Sequence, residues 1–295
     1  MSETITVEAN GLRFACDTEG DGDAVALCLH GFPESRYSWR HQLPVLAQAG
    51  WRAVAPDLRG YGGTDRPIDQ DAYKIQNLVK DTAALFDALG AKRRLLVAHD
   101  WGAVIAWQFA IHQVRKLDGL IIMNVPHPSV FQKVLKTSAA QRKKSWYVFF
   151  FQLPFLPEWS LGRGKARSMV KIFRGMAVDK SAFPDAVIDH YRANASRPGA
   201  LTAMIAYYRA NFRGLMRQTK TPVVQVPTLM LWGEEDKALG LELTEGYDPY
   251  VKDFTLVRLP GVSHWVQQEA PGKVNAAMLE WLAKHHLVLS QAAAP

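Results

Sequence analysis

Nine residues constrain this chain more than any others: Leu95-Leu96-Val97-Ala98-His99-Asp100-Trp101-Gly102-Ala103. A short apolar run stops at a carboxylate, and a helix-forming stretch starts right after it. Small residues stand two positions before and two after, Ala98 and Gly102. The pattern predicts a strand turning sharply into a helix, a nucleophile elbow that pushes one side chain out of the turn. Serine is the usual residue at its tip. Here the tip is Asp100, which changes the available chemistry. A carboxylate is a weak acyl nucleophile, but it displaces leaving groups from saturated carbon and forms an alkyl ester. Water must then cleave that ester, with a general base to help. The start of a helix favours the ionised carboxylate through its free N–H groups and dipole. The other reading of Asp100 is an ordinary helix N-cap.

Strand-like runs recur around this one. Ile5–Glu8 and Leu12–Asp17 predict a hairpin around Asn10-Gly11. Then come 25–29, 52–55, 95–98, 119–124, 228–232 and 255–259. Several are apolar without alternation, as parallel strands buried on both faces are. Helical periodicity fills 75–89 and 103–114. The expectation is an α/β fold: a mostly parallel sheet of eight strands with helices on both faces.

The rhythm breaks between about Pro128 and Val226, where helices are predicted over 130–136, 141–151, 168–176, 184–195 and 201–216. Leu161-Gly162-Arg163-Gly164 and Ser196-Arg197-Pro198-Gly199 punctuate them. Charge marks the same segment. Residues 129–221 hold 17 Lys and Arg against 4 Asp and Glu, a balance of +13 in a chain whose total is +7. The expectation is a helical cap, residues 129–221, inserted between the sixth and seventh strands of a core formed by 1–128 and 222–295. A basic cap fits a solvated surface, or weak attraction to anionic membranes or acidic partners. No nucleic-acid motif accompanies it.

Met1 to Asn10 carries acidic residues and no apolar core of a signal peptide. The most apolar run, Trp146 to Leu156, is too short to span a bilayer. With two cysteines, Cys16 and Cys28, a reducing, cytoplasmic setting is expected. The tail from Gln291 to Pro295 is expected to fray.

Asp100 needs partners, which elbow enzymes supply in the chain order nucleophile, acid, histidine. Asp236 follows the seventh strand in Gly233-Glu234-Glu235-Asp236-Lys237, and His264 follows the eighth in Gly261-Val262-Ser263-His264-Trp265. Both sit at the carboxyl edge of the sheet, where α/β enzymes build their sites. His264 is expected to be the general base, with Asp236 fixing its tautomer. The backbone N–H groups of Phe32, after the third strand, and of Trp101 are expected to form an oxyanion hole. His30, His99 and His127 fill no open role and are expected to be structural hydrogen-bonders rather than catalysts.

With these motifs the chain resembles the epoxide hydrolases of the α/β-hydrolase superfamily. The similarity lies in His30-Gly31-Phe32-Pro33-Glu34, Asp57-Leu58-Arg59-Gly60-Tyr61-Gly62, His99-Asp100-Trp101-Gly102, Asn124-Val125-Pro126-His127-Pro128 and His264-Trp265-Val266-Gln267-Gln268-Glu269. Ala98 departs from the glycine of many relatives. The resemblance implies conversion of lipophilic epoxides and water to vicinal diols, with no cofactor and no metal. It also implies two cap tyrosines that activate the epoxide oxygen, here Tyr147 and Tyr208. Tyr207 would point about 100° away from Tyr208 on a helix.

Phe32, Trp101, Phe150 and Trp265 are the expected substrate contacts. Phe149, Phe150, Phe151, Leu153, Phe155, Leu156 and Trp159 would form an apolar pocket, or else pack the cap or make a homodimer face. The nearest rival is a haloalkane dehalogenase with the same Asp nucleophile. Phe32 stands where many of those enzymes carry Asn, and the tyrosines favour epoxides. Fluoroacetate-type dehalogenases usually place Arg where Trp101 stands, and serine esterases are excluded by Asp100. A catalytically dead binding protein would be expected to lack part of the triad.

Overall fold

The computed structural model describes residues 2–216 and 221–289. The expected tail from Gln291 to Pro295 lies outside them.

Eight strands form one sheet: β1 (Glu3–Ala9), β2 (Leu12–Glu19), β3 (Ala24–Leu29), β4 (Arg52–Pro56), β5 (Arg93–His99), β6 (Gly119–Met123), β7 (Thr228–Gly233) and β8 (Phe254–Leu259). Their order across the sheet is β1-β2-β4-β3-β5-β6-β7-β8. Only β1 and β2 pair antiparallel to their neighbours; from β4 to β8 every pairing is parallel. The β1–β2 turn is Asn10-Gly11, both at positive φ, +48° and +75°, as a tight hairpin turn requires.

The apolar runs of the inner strands follow from burial on both faces. Along β5, Leu95 and Val97 face one core, and Leu96 and Ala98 face the other. The first core is closed by α1 (Leu43–Gln48) and, at the chain's end, by Trp281 and Leu282. The second is closed by α2 (Ile75–Ala88) and α3 (Trp101–Ile111), through Phe86 and Phe109.

The strand order reverses between β3 and β5, so the loops that follow them diverge there. Such a switch point is where open α/β sheets bind ligands. The register aligns Leu29 with Ala98, and His99 with Met123. The residues just beyond them, His30, Asp100 and Asn124, therefore emerge along one edge.

Between β6 and β7 the described residues hold the helices α4 (Pro128–Thr137), α5 (Ala139–Lys144), α6 (Trp146–Phe150), α7 (Leu156–Ala166), α8 (Ser168–Met176), α9 (Asp185–Ala195) and α10 (Ala200–Met216), a short 3-10 turn at Lys180–Ala182, and one isolated bridge from Val224 to Val251. Two details differ from the sequence reading. The single helix expected over 141–151 is two, broken at Ser145, whose ψ of +11° leaves the helical range. And α7 was not expected. It forms behind Pro157 at its N-terminal end, and the glycine signal marks its break at Arg163 and Gly164.

Three hydrogen bonds tie α10 to the sheet side of the molecule. The Tyr207 hydroxyl donates to the Arg59 carbonyl at 2.8 Å. Asn211 Nδ2 donates to the Tyr73 carbonyl at 2.9 Å, and the Ile75 N–H donates to Asn211 Oδ1 at 2.7 Å. The last α-helices are α11 (Val266–Glu269) and α12 (Pro271–Lys284), the latter carrying Trp281.

Candidate active site

Asp100 sits at the turn between β5 and α3 with φ +47° and ψ −123°, a region that non-glycine residues rarely occupy. Two glycines make room for it. A Cβ on Gly102 would run into the carbonyls of Leu29 and His30, and one on Gly31 would run into the Asp100 carboxylate. The side chain does not cap α3. Instead Oδ1 accepts the Phe32 N–H at 2.6 Å. That contact sets aside the N-cap reading, because the carboxylate turns away from its own helix toward the loop after β3. Trp101 opens α3, so its N–H is among the free donors of the first turn.

Behind Asp100 lies His264. Its Nε2 is 3.6 Å from Asp100 Oδ2, and its Nδ1 is 2.6 Å from Asp236 Oδ2. Asp236 is itself held by the Asn124 amide at 2.8 Å and by the N–H groups of Ala238 and Leu239 at 2.7 and 3.0 Å. These donors fix which carboxylate oxygen meets the imidazole.

The charges are tuned by one another. Burial works against ionising Asp100, but the close charge of His264 outweighs it and holds the carboxyl below its ordinary value. Asp236 is lowered in the same way, with Asn124 adding to the effect. Burial alone would lower the pKa of His264. The charge of Asp236 and the contact with Asp100 push it up instead, to about 10. The imidazole is therefore protonated at neutral pH, between two carboxylates.

A cavity of about 520 Å³ opens in front of Asp100. Asp100, Trp101, Tyr147 and Tyr208 line it, with Phe131 and Leu135 from α4. The two tyrosine rings meet edge to face, their centroids 6.0 Å apart. Burial and the nearby Asp100 charge push both phenols above their ordinary pKa, so both hydroxyls stay protonated. Tyr207 faces elsewhere, its hydroxyl on Arg59.

Of the expected substrate contacts, Trp101 lines the cavity, while Phe32, Phe150 and Trp265 are not among its lining residues. Trp265 is buried against Phe173 and His99, with ring centroids 4.7 and 5.9 Å away. Phe32 supports Tyr208 edge-on at 5.5 Å. Phe150 packs on Trp146 and Phe151, and Val148 and Phe149 face the cavity in its place. Most of the aromatic run expected to form a pocket is exposed: Leu153, Phe155, Leu156 and Trp159 point outward.

Two residues that the sequence showed only as motif letters hold the site together. Glu34, fully buried, accepts from the Gly31 N–H, from Gln267 and Gln268, and bonds His99 Nδ1 at 2.8 Å. His99 Nε2 in turn bonds the His264 carbonyl at 2.9 Å. Asn124, at φ +46°, accepts the Gly233 N–H while donating to Asp236. His30 accepts the Leu58 N–H through Nε2. A carboxylate at an elbow announces Asp100; nothing local announces the partners of Glu34 and Asn124.

The family model for the alpha/beta hydrolase fold matches residues 25–271. Epoxide hydrolase 2 of Caenorhabditis elegans is 37% identical over 281 residues, 94% of this chain and 79% of that protein. Epoxide hydrolase 4 of Mus musculus is 38% identical, over 94% of this chain and 78% of that one.

The chain is a member of the epoxide hydrolases of the alpha/beta hydrolase fold.

Among solved structures, a Bacillus megaterium epoxide hydrolase in complex with an inhibitor superposes with a TM-score of 0.88 at 31% identity, covering 95% of this chain and all of that one. Within this epoxide hydrolase, no group of His, Cys, Asp and Glu among the described residues could hold a metal ion. No helix among them is long and apolar enough to cross a membrane.

Proposed function

We propose that this epoxide hydrolase opens its substrate with Asp100 and hydrolyses the resulting ester with His264. The observation that carries the reading is the cavity itself, with the nucleophile on one wall and two protonated phenols on the other. Residues 129–221 act in it as the cap that brings Tyr147 and Tyr208 over the core.

The chemistry runs in two steps. The tyrosine hydroxyls donate to the epoxide oxygen. Asp100 Oδ2 attacks a ring carbon, the C–O bond breaks, and the ring oxygen takes a proton from a phenol to become a hydroxyl. Oδ1 is the oxygen already held by the Phe32 N–H, which leaves Oδ2 as the attacking one. Esterification removes the Asp100 charge and its contact with His264, two of the influences that raise the imidazole pKa. The phenolate left behind takes the proton of His264, which restores the tyrosine and leaves the imidazole as a base. Water attacks the ester carbon, His264 takes its proton, and negative charge gathers on Oδ1, where Phe32 and Trp101 N–H groups stabilise it. The diol leaves.

The substrate class is lipophilic epoxides, supported by Phe131, Leu135 and Trp101 on the cavity wall. The free, buried thiols of Cys16 and Cys28 support work in a reducing cytoplasm. A paired assay tests the activity, with an aryl epoxide in one tube and a bromoalkane of similar size in the other. Diol without bromide is expected. Bromide without diol would assign the chain to dehalogenation and make Trp101 a halide ligand.

A further inference from the structure

The cap carries an apolar face that no part of the described chain covers. Trp146 is 62% exposed, Phe149 54%, Phe155 84% and Trp159 58%, and Leu153 and Leu156 lie between them. All six fall within fourteen consecutive residues, on α6, the turn after it and the start of α7. Large side chains exposed together mark an interaction surface.

The charges around this face are of one sign. Arg163 lies over the Trp159 ring, 4.7 Å from its centroid. Lys143 precedes the run, and Arg213 follows Phe212, whose ring meets Phe149 at 5.6 Å. All three cations are exposed, and none forms an ion pair among the described residues. The one carboxylate within the run, Glu158, is already ion-paired with Arg209. A second copy of such a face would bring like charges together. Exposed Trp and Phe fringed by Lys and Arg are instead the composition that partitions into the headgroup region of an anionic bilayer.

The face also adjoins the cavity. Phe149 belongs to both, and Arg142, one residue before Lys143, stands on the cavity wall.

We propose that Trp146, Phe149, Leu153, Phe155, Leu156 and Trp159 seat the cap on an anionic lipid bilayer, placing the mouth of the active-site cavity at the membrane surface. A lipophilic substrate dissolved in the bilayer then reaches Asp100 without crossing bulk water. The docking itself does not rest on the epoxide reading, and a vesicle measurement without turnover separates the two.

The test is co-sedimentation of the full chain with phosphatidylcholine vesicles, plain or containing about one-third phosphatidylglycerol. Binding is expected on the anionic vesicles at about 0.01 M salt and is expected to weaken at about 0.5 M. The double variant Phe155→Ser/Trp159→Ser is expected to lose about tenfold or more in vesicle affinity. Its hydrolysis of a small, water-soluble epoxide should match the parent. Lys143→Glu/Arg213→Glu keeps the aromatic face and guards against a folding defect in the first variant; it too should lose binding. No sedimentation with anionic vesicles at low salt overturns the proposal. So does equal binding to neutral vesicles, or a dimer in solution that Phe155→Ser/Trp159→Ser dissolves.

Discussion

His264 Nε2 stands 3.6 Å from Asp100 Oδ2, beyond good hydrogen-bond length yet close enough for the two charges to hold each other. Alkylating Asp100 ends that partnership. His264→Gln should therefore form the ester and fail to cleave it. Intact-mass measurement should show the protein heavier by one substrate, with turnover reduced about 10³-fold. In the parent, ester hydrolysis should gain with pH through a value well below 10, while single-turnover alkylation persists toward it. Absence of a covalent adduct would remove Asp100 from the nucleophile role.

In the proposed mechanism Tyr147 and Tyr208 share one oxygen, so either should partly replace the other. Tyr147→Phe and Tyr208→Phe should each slow alkylation about tenfold, and the double variant about 10³-fold. The ester-hydrolysis rate should stay near that of the parent. Stopped-flow measurement of the two phases checks this. A defect confined to hydrolysis would contradict the assignment.

Stability should follow the same cluster of charges. The His264 pKa is raised from 6.5 to about 10, so its stabilising share is complete below pH 6.5 and is lost as pH rises through 10. Asp100 and Asp236 are shifted downward, so their share is present above the ordinary value of 3.8 and lost on acidification. His264→Gln leaves two buried carboxylates without their cation. It should cost about 3–5 kcal/mol in mildly acidic to neutral solution. The cost should shrink toward pH 10 and below pH 3.8. Denaturant titrations across pH read this directly.

Asn124 holds Asp236, to which its amide donates at 2.8 Å, so the proposed mechanism makes it a positioning residue. Asn124→Ala should lower kcat about tenfold and leave KM nearly unchanged. It should also shift the pH profile of ester hydrolysis, since Asn124 helps keep Asp236 ionised. A change in KM alone would point to a packing role.

All eight strands and the elbow were legible because their signals are local. Continuous apolar runs mark strands covered on both faces, and Asp100 stands between small residues whose Cβ atoms or lack of them can be read directly. What stayed hidden depends on distant partners or on rotation about an axis. Glu34 meets His99 across 65 positions, and Asn124 meets Asp236 across 112. Phe150 and Phe149 differ by one residue on a five-residue helix, and composition cannot say which of them faces the cavity. Trp265 beside His264 looked like a wall of the site and is instead a buried wedge under it, against Phe173.

Tyr207 is pinned to Arg59, Asn211 is pinned to Tyr73 and Ile75, and the residue between those anchors and Asp100 is Tyr208. In the proposed mechanism the acid that meets the ring oxygen is thus bolted to the same frame as the nucleophile, although the chain reaches it through the helices between β6 and β7. Tyr147 is fastened from another side: Gln141 and Lys144, just before its helix, donate to the Ala238 and Asp236 carbonyls, and Arg209 of α10 donates to the Phe151 carbonyl just after it. Both jaws of the proposed oxygen clamp are therefore fastened, one to the loops after β4 and the other to the loop after β7, which leaves the cavity wall between them as the place to look for a change of substrate.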